Sequence, residues 1–184
     1  MKKLITCIFC VLLAIVMVAC VAKEANDYTK EIEYINEMIA TTPMSSRQAE
    51  NALLALNYSE KDIEIILDIA DINWGYQAYR TVMMELDMGP QSKAGLTKIL
   101  EGLGFTKEEI QYGINTAEVN WKDQCLYAAM NYIEQGLTRE QVGMKILADG
   151  FTEGEWNYVI SRHFDLLLIN IKGYGLPYPF LIFL

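Results

Sequence analysis

The chain has little histidine and cysteine, two residues that catalytic and metal sites often use. It holds one histidine and four cysteines in 184 residues. It has no glycine-rich phosphate loop, HExxH run or serine elbow. His163 takes the place that Ala70 and Ala117 hold in the internal repeat described below, which indicates a structural histidine. Because catalysis needs a nucleophile, a base and a charge stabiliser that converge, we predict no enzyme activity, metal site or cofactor.

Basic residues are also scarce. The chain has 15 lysines and arginines against 24 acidic residues, which gives a net charge of −9. A protein that binds phosphate backbones needs a basic face. The presumed second helices carry only scattered bases, namely Arg47, Lys93, Lys98, Arg139 and Lys145. We therefore expect no nucleic-acid partner.

The first 19 residues have the layout of a secretory signal. Lys2 and Lys3 precede an apolar run over residues 4–18, and Ala19 comes directly before Cys20. A small residue before a cysteine is typical of a bacterial lipobox, so we expect lipidation at Cys20. The alternative is an uncleaved membrane helix, since about 17 apolar residues are at the lower limit for crossing a bilayer.

Lipidation at Cys20 has two consequences for the rest of the chain. A diacylglyceryl group supplies two acyl chains, which hold a protein stably on the cell membrane. The expected localisation is therefore the extracytoplasmic face of that membrane, with residues 20–27 as a linker. Cys125 is the single cysteine after Cys20, which excludes a disulfide framework. Removal of the signal would also remove Lys2 and Lys3, which leaves 13 basic residues against 24 acidic ones.

The chain repeats itself after this linker. Asn73-Trp74 recurs 47 residues later as Asn120-Trp121, and Gly104-Phe105 recurs 46 residues later as Gly150-Phe151. We divide the chain into copies over residues 27–73, 74–120 and 121–166, followed by an apolar tail over 167–184. The first copy is the most divergent.

Helix-capping signals recur within each copy. In the second copy Gly104 predicts a left-handed helix end, and Thr106 with Glu109 predicts a capping box. The same helix start is predicted at Ser59 in the first copy and at Thr152 in the third. A second corner recurs around Ser45, Ser92 and residues 136–141. The predicted fold class is therefore all-α, with three small three-helix units.

The apolar stripe continues from the third helix of one copy into the first helix of the next. This continuity predicts two shared helices of about 30 residues each, with Trp74 and Trp121 as core anchors. The alternative is a short kink near Gly75 or Asn120. Gly75 and Gly113 are the expected bends, because glycine weakens a helix by about 1 kcal/mol.

Aromatic residues and methionines exceed what such thin units can bury. Tyrosine and methionine surfaces are common at protein contacts. Carboxylates at helix starts are explained by capping but could also rim a partner groove between adjacent units. The predicted partner-binding residues are Tyr76, Tyr79, Tyr112, Tyr127, Glu108, Glu109, Glu153 and Glu155, with Met83 and Met84 nearby.

The second and third copies resemble a known family. Trp121, Ala128-Ala129, Tyr132, Gly136-Leu137-Thr138, Ile146 and the run from Gly150 to Glu153, behind a lipobox, are similar to the Ltp family of host cell surface-exposed lipoproteins. The resemblance implies repeated three-helix units like helix-turn-helix domains. It also implies superinfection exclusion, in which the lipoprotein engages a phage tape measure protein and blocks DNA entry.

Two alternatives stay open at this point. The chain could instead be a host envelope lipoprotein used for scaffolding or adhesion, without a phage partner. The run from Asn170 to Leu184 has no counterpart in the family pattern. We expect it to be a poorly ordered tail or a strand-like segment that covers an apolar groove, and the alternative is a shallow contact with the bilayer. We expect the helical units to bind a basic or amphipathic helical segment of a protein, because their net charge is acidic.

Overall fold

The computed structural model describes residues 27–162, and this part of the chain is all-α, as predicted. It contains nine helices and no strand within those residues. Their bounds are α1 Thr29–Thr41, α2 Ser46–Ala55, α3 Glu60–Ala70, α4 Trp74–Met88, α5 Lys93–Leu103, α6 Lys107–Thr116, α7 Trp121–Glu134, α8 Arg139–Ala148 and α9 Glu153–Arg162. The predictions for the signal, Cys20, His163 and the apolar tail lie outside the described residues.

The helices form three successive groups of three, each around its own apolar core. In every group the first and third helices pack against each other, and the second packs on the third. The first group (α1–α3) buries Ile35, Leu53 and Ile66, among others. The second group (α4–α6) buries Val82 and Leu100. The third group (α7–α9) has a separate core, which includes Cys125, Ile146, Trp156 and Val159.

The predicted helix starts are confirmed. The Thr106 side chain accepts a hydrogen bond from the Glu109 N–H, and the Glu109 carboxylate accepts one from the Thr106 N–H. Ser45 and Thr138 begin α2 and α8 with the same reciprocal pair of bonds, each with a glutamine three residues later. Gly104 ends α5 in the left-handed conformation with φ 95°. These bonds satisfy N–H groups that the first turn of a helix leaves without partners.

The prediction of long shared helices is wrong. The first joint breaks at Asp71, which is left-handed with φ 47°, and α4 starts anew at Asn73, whose side chain accepts from the Tyr76 N–H. The second joint breaks in the same way at Glu118, with φ 48°, before Asn120 caps α7. The asparagine that precedes each repeated tryptophan is therefore a helix start, and it interrupts the apolar stripe.

Gly75 and Gly113 are not the bends that the sequence predicts. Both lie inside helices, where they let neighbours approach closely. A Cβ on Gly113 would stand 2.7 Å from the backbone carbon of Ala78 and the backbone nitrogen of Tyr79, so α6 crosses α4 at backbone distance. A Cβ on Gly75 would stand 2.9 Å from the ring of Tyr112. Packing between helices explains both glycines.

Neighbouring groups are joined by equivalent polar contacts. The Ser45 hydroxyl, at the start of α2, donates to the Leu103 carbonyl at the end of α5 (2.7 Å). The Ser92 hydroxyl, 47 residues after Ser45, donates to the Asp149 carbonyl at the end of α8 (2.6 Å). Arg80 adds a bond from α4 to the Ala40 carbonyl of α1 (3.0 Å). In each of the first two groups the start of the second helix is therefore bonded to the end of the second helix of the next group.

Candidate partner-binding grooves

An open groove of about 620 Å³ lies on the first group between α2 and α3. Its apolar floor consists of Leu54, Ile63, Leu67, Ile72 and Trp74. Its polar lining consists of Ser46, Glu50, Glu60, Glu64, Asp68 and Asp71. We call it the acidic groove, because five of these six polar residues are carboxylates and no lysine or arginine lines it.

Three of the five carboxylates of the acidic groove lie along α3. Ser59 caps the helix, so that Glu60 is its first residue. Glu60, Glu64 and Asp68 then follow at intervals of four residues, which puts their side chains in one row along the helix. The buried Ile63 lies beside this row and forms part of the floor. A single row of like charges beside apolar residues is suited to an amphipathic cationic partner.

Two tyrosines attach α3 to α1 behind the groove. The Tyr28 hydroxyl donates to the Asp62 carboxylate of α3 (2.5 Å), and the Tyr58 hydroxyl donates to the Glu31 carboxylate of α1 (2.5 Å). The hydroxyl of Ser59, together with that of Tyr28, lowers the pKa of Asp62. The bond to Glu31 raises the pKa of Tyr58. These bonds fix the orientation of the helix that carries the acidic rim.

A smaller groove of about 340 Å³ lies at the same place on the second group, between α5 and α6. Every one of its lining residues stands 47 positions after a lining residue of the acidic groove. They are Lys93, Thr97, Glu101, Lys107, Ile110, Gln111, Ile114 and Asn115. The two floor isoleucines match Ile63 and Leu67. The shape of the groove is therefore repeated along the chain.

The charge of the rim is not repeated. Lys107 stands where the acidic groove has Glu60, and Lys93 stands where it has Ser46. The other three rim carboxylates of α2 and α3 are replaced by neutral residues, namely Thr97, Gln111 and Asn115. Glu101 is the one carboxylate that lines this groove. We call it the lysine groove.

The corresponding position of the third group is filled. Trp156 stands where the second group has Ile110, and it is buried. Its indole nitrogen lies 3.0 Å from where a Cβ on Gly143 would be, so the ring lies against the backbone of α8. The tryptophan thus occupies space that an isoleucine leaves open in the lysine groove.

Three of the four predicted tyrosines lie on the second group. The rings of Tyr76 and Tyr79 are 5.7 Å apart on α4, and Tyr112 of α6 packs over the neighbouring Gly75. Tyr76 and Tyr112 are about half exposed, and the methionines at positions 83 and 84 are each 38% exposed. The fourth tyrosine, Tyr127, is exposed on α7 and belongs to the third group.

The predicted glutamates serve the helix starts and line neither groove. Glu109 and Glu155 each accept the N–H of the capping threonine three residues earlier. Glu108 and Glu153 are exposed residues of the same first turns. Trp74 packs against the first core, as predicted, and also lines the acidic groove. The sequence reasoning missed the acidic row of α3, although its four-residue spacing was visible.

No protein-family model matches this chain, and no significant similarity connects it to a curated protein or to a solved structure. Between residues 27 and 162, none of the helices combines the length and the apolar character that crossing a membrane needs. The same range contains no cluster of three or more histidine, cysteine, aspartate or glutamate side chains placed to hold a metal ion.

Proposed function

We propose that this chain is a binding protein whose acidic groove holds a basic amphipathic helix of a protein partner. The observation that carries the proposal is the apolar floor of the groove, which is bordered by five carboxylates and by no basic residue. A helix that enters such a groove buries an apolar stripe and sets lysines or arginines against the rim. The attraction speeds encounter and weakens as salt is added.

The biological setting that we propose follows the family resemblance. Cys20 would carry a diacylglyceryl anchor, and the helical groups would stand outside the cell membrane. The basic helix would then be a segment of a phage tape measure protein, and its capture would block DNA entry. A host scaffold or adhesion lipoprotein is the alternative, and it would use the same groove for an envelope protein.

Charge exchange between the two grooves tests the binding site. A variant with Glu50→Thr, Glu60→Lys, Glu64→Gln and Asp68→Asn gives four rim positions of the acidic groove the residues that the lysine groove has there. We expect it to bind a lysine-rich amphipathic peptide about 30-fold more weakly at low salt, because each rim pair contributes about 0.5 kcal/mol or more. Titration of the full chain in nonionic detergent, followed by tryptophan fluorescence, measures this change, since Trp74 lines the groove.

The reciprocal variant is the matched control. Thr97→Glu, Lys107→Glu, Gln111→Glu and Asn115→Asp together give the lysine groove an acidic rim. We expect its stoichiometry for the basic peptide to rise from one to two. Equal binding of that peptide by both variants and the unmodified chain would refute the site.

An infection assay separates the two biological settings. Cells that express the unmodified chain should resist phage DNA entry, and cells that express Cys20→Ala or the exchanged acidic groove should not. If the unmodified chain binds the basic peptide but DNA enters all three strains normally, the phage role is rejected and the host envelope role is favoured.

A further inference from the structure

We infer that the lysine groove is a second docking site, and that it takes an amphipathic helical segment that carries carboxylates beside its apolar residues. The inference extends the proposed function, because a partner that enters both grooves would present a basic segment to the first group and an acidic one to the second. The lining residues of the lysine groove support it independently, and a separate experiment tests it.

The floor of the lysine groove is built to receive apolar side chains. Ile110 and Ile114 are one turn apart on α6, and each is only 4% exposed, so they belong to the second core. Their outer surfaces line a cavity of about 340 Å³. That volume is at the lower end of the range for small-molecule pockets, and it also accommodates a few apolar side chains of a docked helix. The exposed lysines that line it from two helices favour a charged peptide segment as the occupant.

The rim of the lysine groove selects the charge of that segment. Lys93 is the first residue of α5 and Lys107 is the first residue of α6, and both side chains are exposed. Two lysines thus stand at two helix N-termini, where the backbone dipoles also favour negative charge. The lining carries two positive charges against the single negative charge of Glu101. This excess of positive charge lies within a chain of net charge −9.

The comparison of the two grooves supports selection by charge. Eight lining positions correspond one to one, and the apolar pair Ile63 and Leu67 is matched by Ile110 and Ile114, whereas Glu101 replaces Leu54. Four carboxylate positions of the acidic groove hold no carboxylate in the lysine groove. The two grooves therefore occupy equivalent places with opposite charge preference, which is how a protein distinguishes two segments that share an apolar stripe.

Two synthetic helices test the inference. They share one apolar face, and one carries glutamates on its polar face while the other carries lysines. We expect the full chain in nonionic detergent to bind the glutamate peptide, and Lys93→Glu with Lys107→Glu to weaken that binding about tenfold. Glutamate is favourable in the first turn of a helix, so these substitutions should preserve folding.

A control variant separates the groove from overall charge. Lys30→Glu with Lys98→Glu changes the net charge equally at exposed positions outside the lysine groove, and it should bind the glutamate peptide as the unmodified chain does. Equal weakening by both variants, or no binding of the glutamate peptide, would overturn the inference. Binding of the lysine peptide that survives the acidic-groove exchange but disappears with Lys93→Glu and Lys107→Glu would also overturn it. The proposed basic-helix site is judged by the acidic-groove exchange, so either idea can fail alone.

Discussion

Gly113 shows how one missing side chain sets the distance between two helices. It is buried where α6 crosses α4, and its neighbours there are backbone atoms of Ala78 and Tyr79. Backbone cannot move aside as a flexible side chain can. The packing of α6 on α4 therefore requires a residue without a side chain at position 113, although glycine is a poor helix former.

Gly113→Ala should destabilise the protein by about 2 kcal/mol or more, since its Cβ would stand 2.7 Å from two backbone atoms and force the helices apart. The matched control is Gly102→Ala in α5, where a new Cβ meets nothing within 4 Å. That control should stabilise by about 0.5–1 kcal/mol through helix propensity. Urea unfolding measures both values, and a gain in stability from both substitutions would contradict this account.

Ser45 and Ser92 show how a helix start can also join two groups. Each hydroxyl accepts an N–H of its own first turn and donates to a carbonyl of the following group. Ser59 begins α3 with the same cap but donates to Asp62 of its own helix. All three serines cap their own helix, but only Ser45 and Ser92 also bond to a neighbouring group.

Ser92→Ala should therefore cost more stability than Ser59→Ala. Loss of a cap costs about 1 kcal/mol. Ser92 is 2% exposed, and its replacement also removes the hydrogen bond to the Asp149 carbonyl of the next group. We expect about 2 kcal/mol or more for Ser92→Ala against about 1 kcal/mol for Ser59→Ala. Calorimetry of the two variants gives the comparison, and equal losses would mean that the bond between groups adds nothing.

The helical elements were largely predictable, and their joints were not. A capping residue forms hydrogen bonds with the next few residues, so it marks a helix start within a short stretch of sequence. Ser59, Thr106 and Thr152 could therefore be identified from the sequence alone. The left-handed residues Asp71 and Glu118 have no such signal, because neither aspartate nor glutamate prefers that conformation as glycine does. The joints consequently looked continuous in the sequence.

Residues 27–162 form three small cores, and the third contains two groups whose protonation depends on folding. Burial raises the pKa of the Cys125 thiol from its ordinary 9.0 to about 12, and Glu155 adds to the rise. Burial and the hydrogen bond to Asp149 raise the pKa of Tyr132 from 10.0 to about 12. Both groups stay neutral in the fold at a pH where the unfolded chain has lost their protons.

Stability should therefore decrease in alkali. The contribution of both groups is complete below about pH 9, and it is lost as pH rises toward 12, because the unfolded chain then binds fewer protons than the folded chain. The free energy of unfolding, measured in urea from pH 7 to 11.5, should decrease above pH 9. Cys125→Ala should show a shallower decrease, and an identical decrease would exclude the thiol as a cause.

Local patterns were enough to identify the helix starts and the acidic balance, because caps and charges depend on neighbouring residues or on composition. It also showed the repeat positions that relate the two grooves. Packing between helices, which the three-dimensional structure alone shows, brings Glu50 of α2, Glu64 of α3 and Trp74 of α4 around one groove and buries Trp156 at the equivalent place in the third group. Those outcomes depend on packing between side chains that are far apart in the chain, and local patterns carry no information about that packing.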